Sequence, residues 1–183
     1  MQKKSCFTIY PLILRDGAND GERLSVLVRR ETRVPVTLAN EWIFASRRLS
    51  VAASTIERDI YAVKIGYEWA LSKGIDLEER IRSGRGLTPD EISMSLVAAL
   101  RKGYGAKKVQ RLRVSPEHIR VRLCTMQAFL DWGLRRAEAS RGLIGDTVRE
   151  RSIRLTRDRM TAEFRSVTPV GHARGEVYSL TKT

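Results

Sequence analysis

Residues 54–74, STIERDIYAVKIGYEWALSKG, decide the fold. Ile56, Ile60, Val63, Tyr67 and Ala70 recur at steps of four, three, four and three, which places them on one face of a helix. Tyr61, Ile65 and Trp69 add a neighbouring stripe. An apolar face this wide predicts the central, most buried helix of the protein. Ser54 is suited to cap its start, and Gly74, free to adopt positive φ, to end it.

Helical spacing continues on both sides. Upstream, Leu38, Trp42, Ala45 and Leu49 form one stripe of a first helix, broken at Ser50 to Ser54. Downstream, a short helical turn is expected over Asp76–Arg82, before the Gly84/Gly86 loop. Thr88-Pro89-Asp90-Glu91 is a helix start, with a capping hydroxyl, a first-turn proline and acids at the positive dipole end; Ile92, Leu96 and Leu100 continue it. Gly103 to Arg113 reads as a basic loop. Ser115-Pro116-Glu117 opens another long helix, with Ile119, Leu123, Met126 and Leu130 on its core face and Gly142 and Gly145 interrupting it. The last pattern, Val148, Ile153, Met160 and Phe164, is weaker, rich in arginine, and predicts a solvated helix. Ahead of all this, Phe7–Tyr10 and Leu12–Leu14 around Pro11, and then Leu24–Val28, predict a hairpin across the Asp16–Gly21 turn. Pro11 suits an edge strand, and a lone hairpin should lean on the helices or form an arm. The expected class is mainly α: a four- to six-helix bundle with a small N-terminal β-hairpin arm. The expected division is an arm over 1–35, a helical domain over 36–166 and a linker over 167–183.

Composition narrows the function. Thirty-four Lys and Arg against 21 Asp and Glu give the 183 residues a formal charge of +13. A pI near 10.4 points to a polyanionic partner: DNA, RNA or an acidic membrane surface. The charge is uneven: residues 101–165 hold 17 basic and seven acidic side chains, residues 1–100 only 15 and 13. No apolar run approaches 18 residues, which argues against a membrane span, and Met1–Cys6 lead into a strand rather than a signal peptide. Cys6 and Cys124 fit a reducing compartment, so a soluble cytoplasmic protein is expected.

Two helix starts are suited to phosphate, Ser54-Thr55 and Ser115-Pro116, where free N–H groups and hydroxyls meet positive dipole ends. Arg47, Arg48 and Arg58 lie near the first, and Arg111, Arg113, His118 and Arg122 near the second. His118, Arg122 and Thr125, spaced four and three apart, share a polar stripe. With Lys107 and Lys108 these residues form the expected DNA-binding set, a concave basic surface if the first two helices pack antiparallel to the later one. The plainer alternative is that the hydroxyls only cap and the arginines only solvate. Neither histidine, His118 or His172, has metal-ligand or acid–base spacing, and Cys124 falls between core positions. The aromatics Trp42, Tyr61, Trp69, Phe129 and Trp132 follow helical periods and read as core, and Gly84-Arg85-Gly86 is too short for a phosphate loop. No cofactor, metal or catalytic set is expected.

Three segments together resemble the N-terminal core-binding domain of tyrosine recombinases, the phage-integrase superfamily. They are Leu38–Leu49, then Ser54–Ile60 running through Tyr67-Glu68-Trp69 to Gly74-Ile75-Asp76-Leu77, and Ser115 to Phe129-Leu130-Asp131-Trp132. The resemblance spans roughly residues 35–140. It implies a SAM-like helical bundle that clamps double-stranded DNA for integration and recombination, beside other recombinase protomers on the DNA. It also implies a separate catalytic domain with Arg, Lys, His-x-x-Arg and Tyr. Gly133-Leu134-Arg135-Arg136-Ala137-Glu138 is similar to that domain's first arginine box, but too little chain follows it. His172-Ala173-Arg174 is one residue short of His-x-x-Arg, and Tyr178 follows too closely to be the nucleophile. The tail from Thr168 is then expected to lead towards an absent catalytic domain. Two other readings stay open: a stand-alone DNA-binding regulator or nucleoid-associated protein, and a basic helical protein–protein adaptor.

With that catalytic set incomplete, the chain alone should not cleave DNA. Incubation with nicked or suicide duplexes, followed by denaturing electrophoresis, is expected to show no covalent adduct; an adduct dependent on Tyr178 would overturn this reading of the tail.

Overall fold

The computed structural model describes residues 5–15, 21–102 and 115–169. Strands β1 (Phe7–Ile13) and β2 (Arg23–Arg29) pair antiparallel, Phe7 opposite Arg29 and Ile13 opposite Arg23. Among the described residues six helices follow: α1 (Thr37–Trp42), α2 (Ala53–Ser72), α3 (Leu77–Arg82), α4 (Val97–Arg101), α5 (Pro116–Leu143) and α6 (Thr147–Val167). A π-helical turn, Ile43–Arg47, extends α1, and another, Glu91–Leu96, precedes α4. The chain is mainly helical with a small hairpin, as its sequence predicts.

The hairpin leans on the helices. Phe7, Leu24 and Leu27 belong to the same apolar core as α1, α2 and α5. β2 has an outer edge whose amides need partners. Asn40 of α1 supplies them at Leu27: its Oδ1 accepts from the Leu27 N–H and its Nδ2 donates to the Leu27 carbonyl, both at 2.8 Å. Glu68 of α2 ties down the start of β1, accepting from the Ser5 hydroxyl and from the Cys6 and Phe7 amides. Pro11 sits opposite Ser25 in this two-stranded sheet, where an edge position tolerates the missing donor.

The predicted stripes of α2 are buried: Ile56, Ile60, Val63, Tyr67 and Ala70, with Ile65 and Trp69 beside them. Gly74, at φ 68°, ends the helix. Its start differs from expectation. The helix begins at Ala53 with Ala52 in the cap position and no capping side chain, so Ser54 lies within the first turn. α1 differs too: Leu38 and Trp42 are buried, but Leu49 is 96% exposed and Ala45 is exposed as well. The π turn is the cause. Its wider bond, Arg48 N–H to Ile43 carbonyl at 2.9 Å, takes the residues after Ile43 out of the α-helical register, while Ile43, four residues after buried Ala39, stays in the core.

Thr88 and Glu91 form a capping box, each side chain accepting from the other's backbone N–H (3.2 and 2.8 Å). Ser115 caps α5 by accepting from the His118 N–H, with Pro116 in the first turn. α5 crosses α2 at Gly66, where a Cβ would lie 2.6 Å from Met126 Cε. Trp42, Tyr67 and Phe129 pack ring to ring at this crossing, while Tyr61 and Trp132 are only half-buried.

α6 is the largest departure from the sequence reading. Rather than a solvated helix, it packs along α5, burying Ile153, Met160 and Phe164, although Val148 stays 82% exposed. The Gly84–Leu87 loop makes room for it: a Cβ on Gly84, at φ 77°, would sit 2.3 Å from Ile153 Cγ1. Two arginines of α6 turn back onto α5. Arg157 pairs with Asp131 (2.9 Å) and Glu138, and Arg154 with Glu138 (2.8 Å) and Glu150 (3.0 Å). Burial raises the pKa of Glu138, but the hydrogen bonds from Arg154 and Arg157 outweigh it and hold the carboxyl below its ordinary value.

Two outcomes follow for stability. Ile60→Ala or Leu123→Ala, both at 0% exposure, should lower the free energy of unfolding by about 2–5 kcal/mol in urea titrations. A carboxyl depressed in the folded state stabilises above its unfolded pKa, near ~4.3, and loses that contribution as pH falls through the lower folded value. Glu138→Gln should therefore reduce Tm at pH 7, and its difference from the parent chain should shrink on acidification below about pH 4.

Candidate nucleic-acid interface

A shallow depression of about 300 Å³ opens where the end of the first π turn, the start of α2 and the first third of α5 meet. Arg47, Arg58, Asp59, Arg120 and Thr125 line it, with Trp42, Cys124 and Ala128 as its apolar surface. At its base lies Asp59, 1% exposed. A polar residue one turn from Ile56, on the core side of α2, needs a partner from another helix. Asp59 has several. Arg47 donates to Oδ2 from Nε at 2.9 Å and also from Nη2; the Thr125 hydroxyl donates to Oδ1 at 3.1 Å; Arg58 Nε lies 3.9 Å away. The Arg47 guanidinium also lies over the Trp42 ring at 5.7 Å. Arg58 and Arg120 form the rim with side chains 55% and 40% exposed, Arg120 pairing at 2.7 Å with Glu117 one turn before it.

The expected set is thus only partly assembled. Arg47, Arg58 and Thr125 come together in the depression; Ser54 and Thr55 lie in the adjoining first turn of α2. Arg48 is turned the other way, onto Glu22 of the hairpin (Nη2–Oε2 2.6 Å), whose hydrogen bonds hold that carboxyl below its usual value. Arg122 is also committed elsewhere: it donates to the carbonyls of Leu100 (2.9 Å) and Lys102 (3.3 Å), closing the end of α4, and lies over the Tyr61 ring. The stripe His118, Arg122 and Thr125 therefore is not a solvated one. His118 is exposed at the helix start, but the same side of α5 then passes under α4 and α2, which bury Thr125. Lys107, Lys108, Arg111 and Arg113 lie outside the described residues, immediately before Ser115 in the sequence.

Sequence reasoning missed Asp59 and Arg120. The signal for Asp59 was present: an acid set within the apolar run of α2. Nothing local marked Arg120, since its place on the rim depends on how α5 crosses α2. Among the described residues no group of three or more His, Cys, Asp or Glu side chains could hold a metal, and no helix is long and apolar enough to cross a membrane. No protein-family model, curated protein or solved structure matches this chain.

Removing the central carboxylate should expose how the depression is held. Asp59→Ala leaves the Arg47 guanidinium and the Thr125 hydroxyl without their partner, and is expected to cost about 3 kcal/mol or more in chemical denaturation. Thr125→Val, which removes one neutral donor, should cost about 1 kcal/mol by the same measurement.

Proposed function

We propose that the chain is a DNA-binding module that grips duplex DNA at the depression between α2 and α5, in the manner of the core-binding part of a site-specific tyrosine recombinase. One observation carries the DNA reading. Three guanidinium groups and a single buried carboxylate share one concave site, beside the first turn of a 20-residue helix. Phosphate contacts of this kind set register and orientation on a duplex through charge-assisted hydrogen bonds. The four cations Lys107, Lys108, Arg111 and Arg113, which precede Ser115 in the sequence, would add sequence-independent affinity. The recombinase reading rests on the resemblance of residues 35–140, and its three segments fall on α1, α2 and α5. Asp59 serves as a positioning residue that holds Arg47, while Arg58 and Arg120 face the phosphates. A stand-alone regulator would grip DNA by the same chemistry.

The test is duplex binding measured across a salt series. With about 4–6 phosphates touched, log K should fall against log salt with a slope of about −4 to −5. Arg58→Gln, Arg120→Gln, and neutralisation of Lys107, Lys108 and Arg111 should each weaken binding and flatten that slope. Lys73→Gln, at the far end of α2, should leave both unchanged. Equal losses from Lys73 and Arg58 would mean a diffuse basic surface and overturn the localised site.

A further inference from the structure

α6 has two apolar sides. Ile153, Met160 and Phe164 are buried. On the opposite side Val148, Leu155 and Ala162 stand seven residues apart, two turns of helix less about 20°, so they form one narrow stripe. This stripe is open to water: Val148 is 82% exposed, Leu155 49%, and Ala162 is exposed as well. Leu143, the last residue of α5, is 88% exposed as well. Arg151 and Arg159 are each four residues from Leu155, one to either side of the stripe at 100° per residue. Both are exposed, and among the described residues neither pairs with a carboxylate, unlike Arg154 and Arg157 on the inner side. Asp158 lies two turns from Arg151 on its side of the helix and leaves the arginines in excess.

We propose that this face docks an acidic amphipathic helix of another protein. An apolar seam on that helix would meet Val148, Leu155 and Ala162, and carboxylates beside the seam would meet Arg151 and Arg159. Spacing and charge together select this occupant. The stripe supplies one apolar position every seven residues, and the excess arginines beside it call for carboxylates on the occupant. A second copy of the chain is disfavoured, because antiparallel pairing sets Arg151 against Arg159 and parallel pairing sets each arginine against its own kind. A bilayer surface calls for a broad apolar face, whereas this stripe is one residue wide. A duplex would engage the arginines but leave the stripe against hydrated phosphates. The proposal is independent of the depression on α2 and α5.

The probe is a fluorescein-labelled 21-residue peptide with leucine at heptad a and d positions and glutamate at e and g, beside a scrambled peptide of the same composition. Fluorescence anisotropy with the full chain should show saturable binding that weakens with salt, and at least tenfold weaker binding of the scrambled peptide. Val148→Glu and Leu155→Glu should each weaken binding at least tenfold, and Arg151→Gln with Arg159→Gln should reduce the salt dependence. Thermal melts of Val148→Glu should match the parent chain, which separates lost docking from lost folding. Equal affinity for both peptides, no binding, or indifference to Leu155→Glu would overturn the proposal. So would a dimer in sedimentation that Leu155→Glu dissociates, or binding to phosphatidylserine vesicles that Leu155→Glu abolishes while the peptide fails to bind.

Discussion

A carboxylate taken out of water has to be answered where it lies, and Asp59 is answered by three segments at once. Arg47 reaches it from the end of the first π turn, Thr125 from α5, and Arg58 from its own helix. A buried ion pair adds little net stability over well-packed apolar residues, because desolvation offsets the attraction. Breaking one is costly, however, and that asymmetry fixes how the segments sit. Sliding α5 by one residue along α2 would carry Thr125 away from Asp59, and straightening the π turn would carry Arg47 away. The aromatic contact of Trp42 with Phe129 and the seat of Met126 over Gly66 depend on the same placement.

Most of the fold was legible because its punctuation is local. Thr88 with Glu91, Ser115 with Pro116, and Gly74 each set a helix boundary through groups within a few residues of one another. The apolar repeats of α2 and of Leu123, Met126 and Leu130 reported their buried faces for the same reason. Local signals failed where a boundary or a face is set from a distance. Ala45 and Leu49 continue a regular helical stripe, but the π turn breaks the regularity. The start of α2 carried serine and threonine, but the helix begins before them.

The candidate site was less legible because an arginine's availability depends on what lies across from it. Composition counts cations; it does not show that Arg48 is held by Glu22, that Arg122 closes α4, or that Arg154 and Arg157 join α6 to α5. Each of these ties spans at least 16 residues of sequence. Much of the positive charge of the later half is therefore spent within the fold, and the field left for a partner is concentrated on fewer groups, Arg58, Arg151 and Arg159 among them. Glu68 makes the same point for acids. Nothing near it in sequence marks its role, yet it receives the start of β1 from more than 60 positions away.

The partners of α2 also impose an order in time. A chain made from its N-terminus exposes the hairpin, α1 and α2 long before Thr125 emerges, 66 residues after Asp59, or Met160, 73 residues after Leu87. Until then the apolar side of α2 that receives Met126 and Phe129 stays open, and Asp59 has only Arg47 and Arg58 to balance it. The first hundred residues therefore cannot close on their own while still on the ribosome. Contacts of such long range slow folding and lengthen the interval in which apolar surface is bare. For this protein, vectorial synthesis leaves the N-terminal half waiting on the C-terminal half, and a nascent chain stalled before α5 keeps the apolar side of α2 in water.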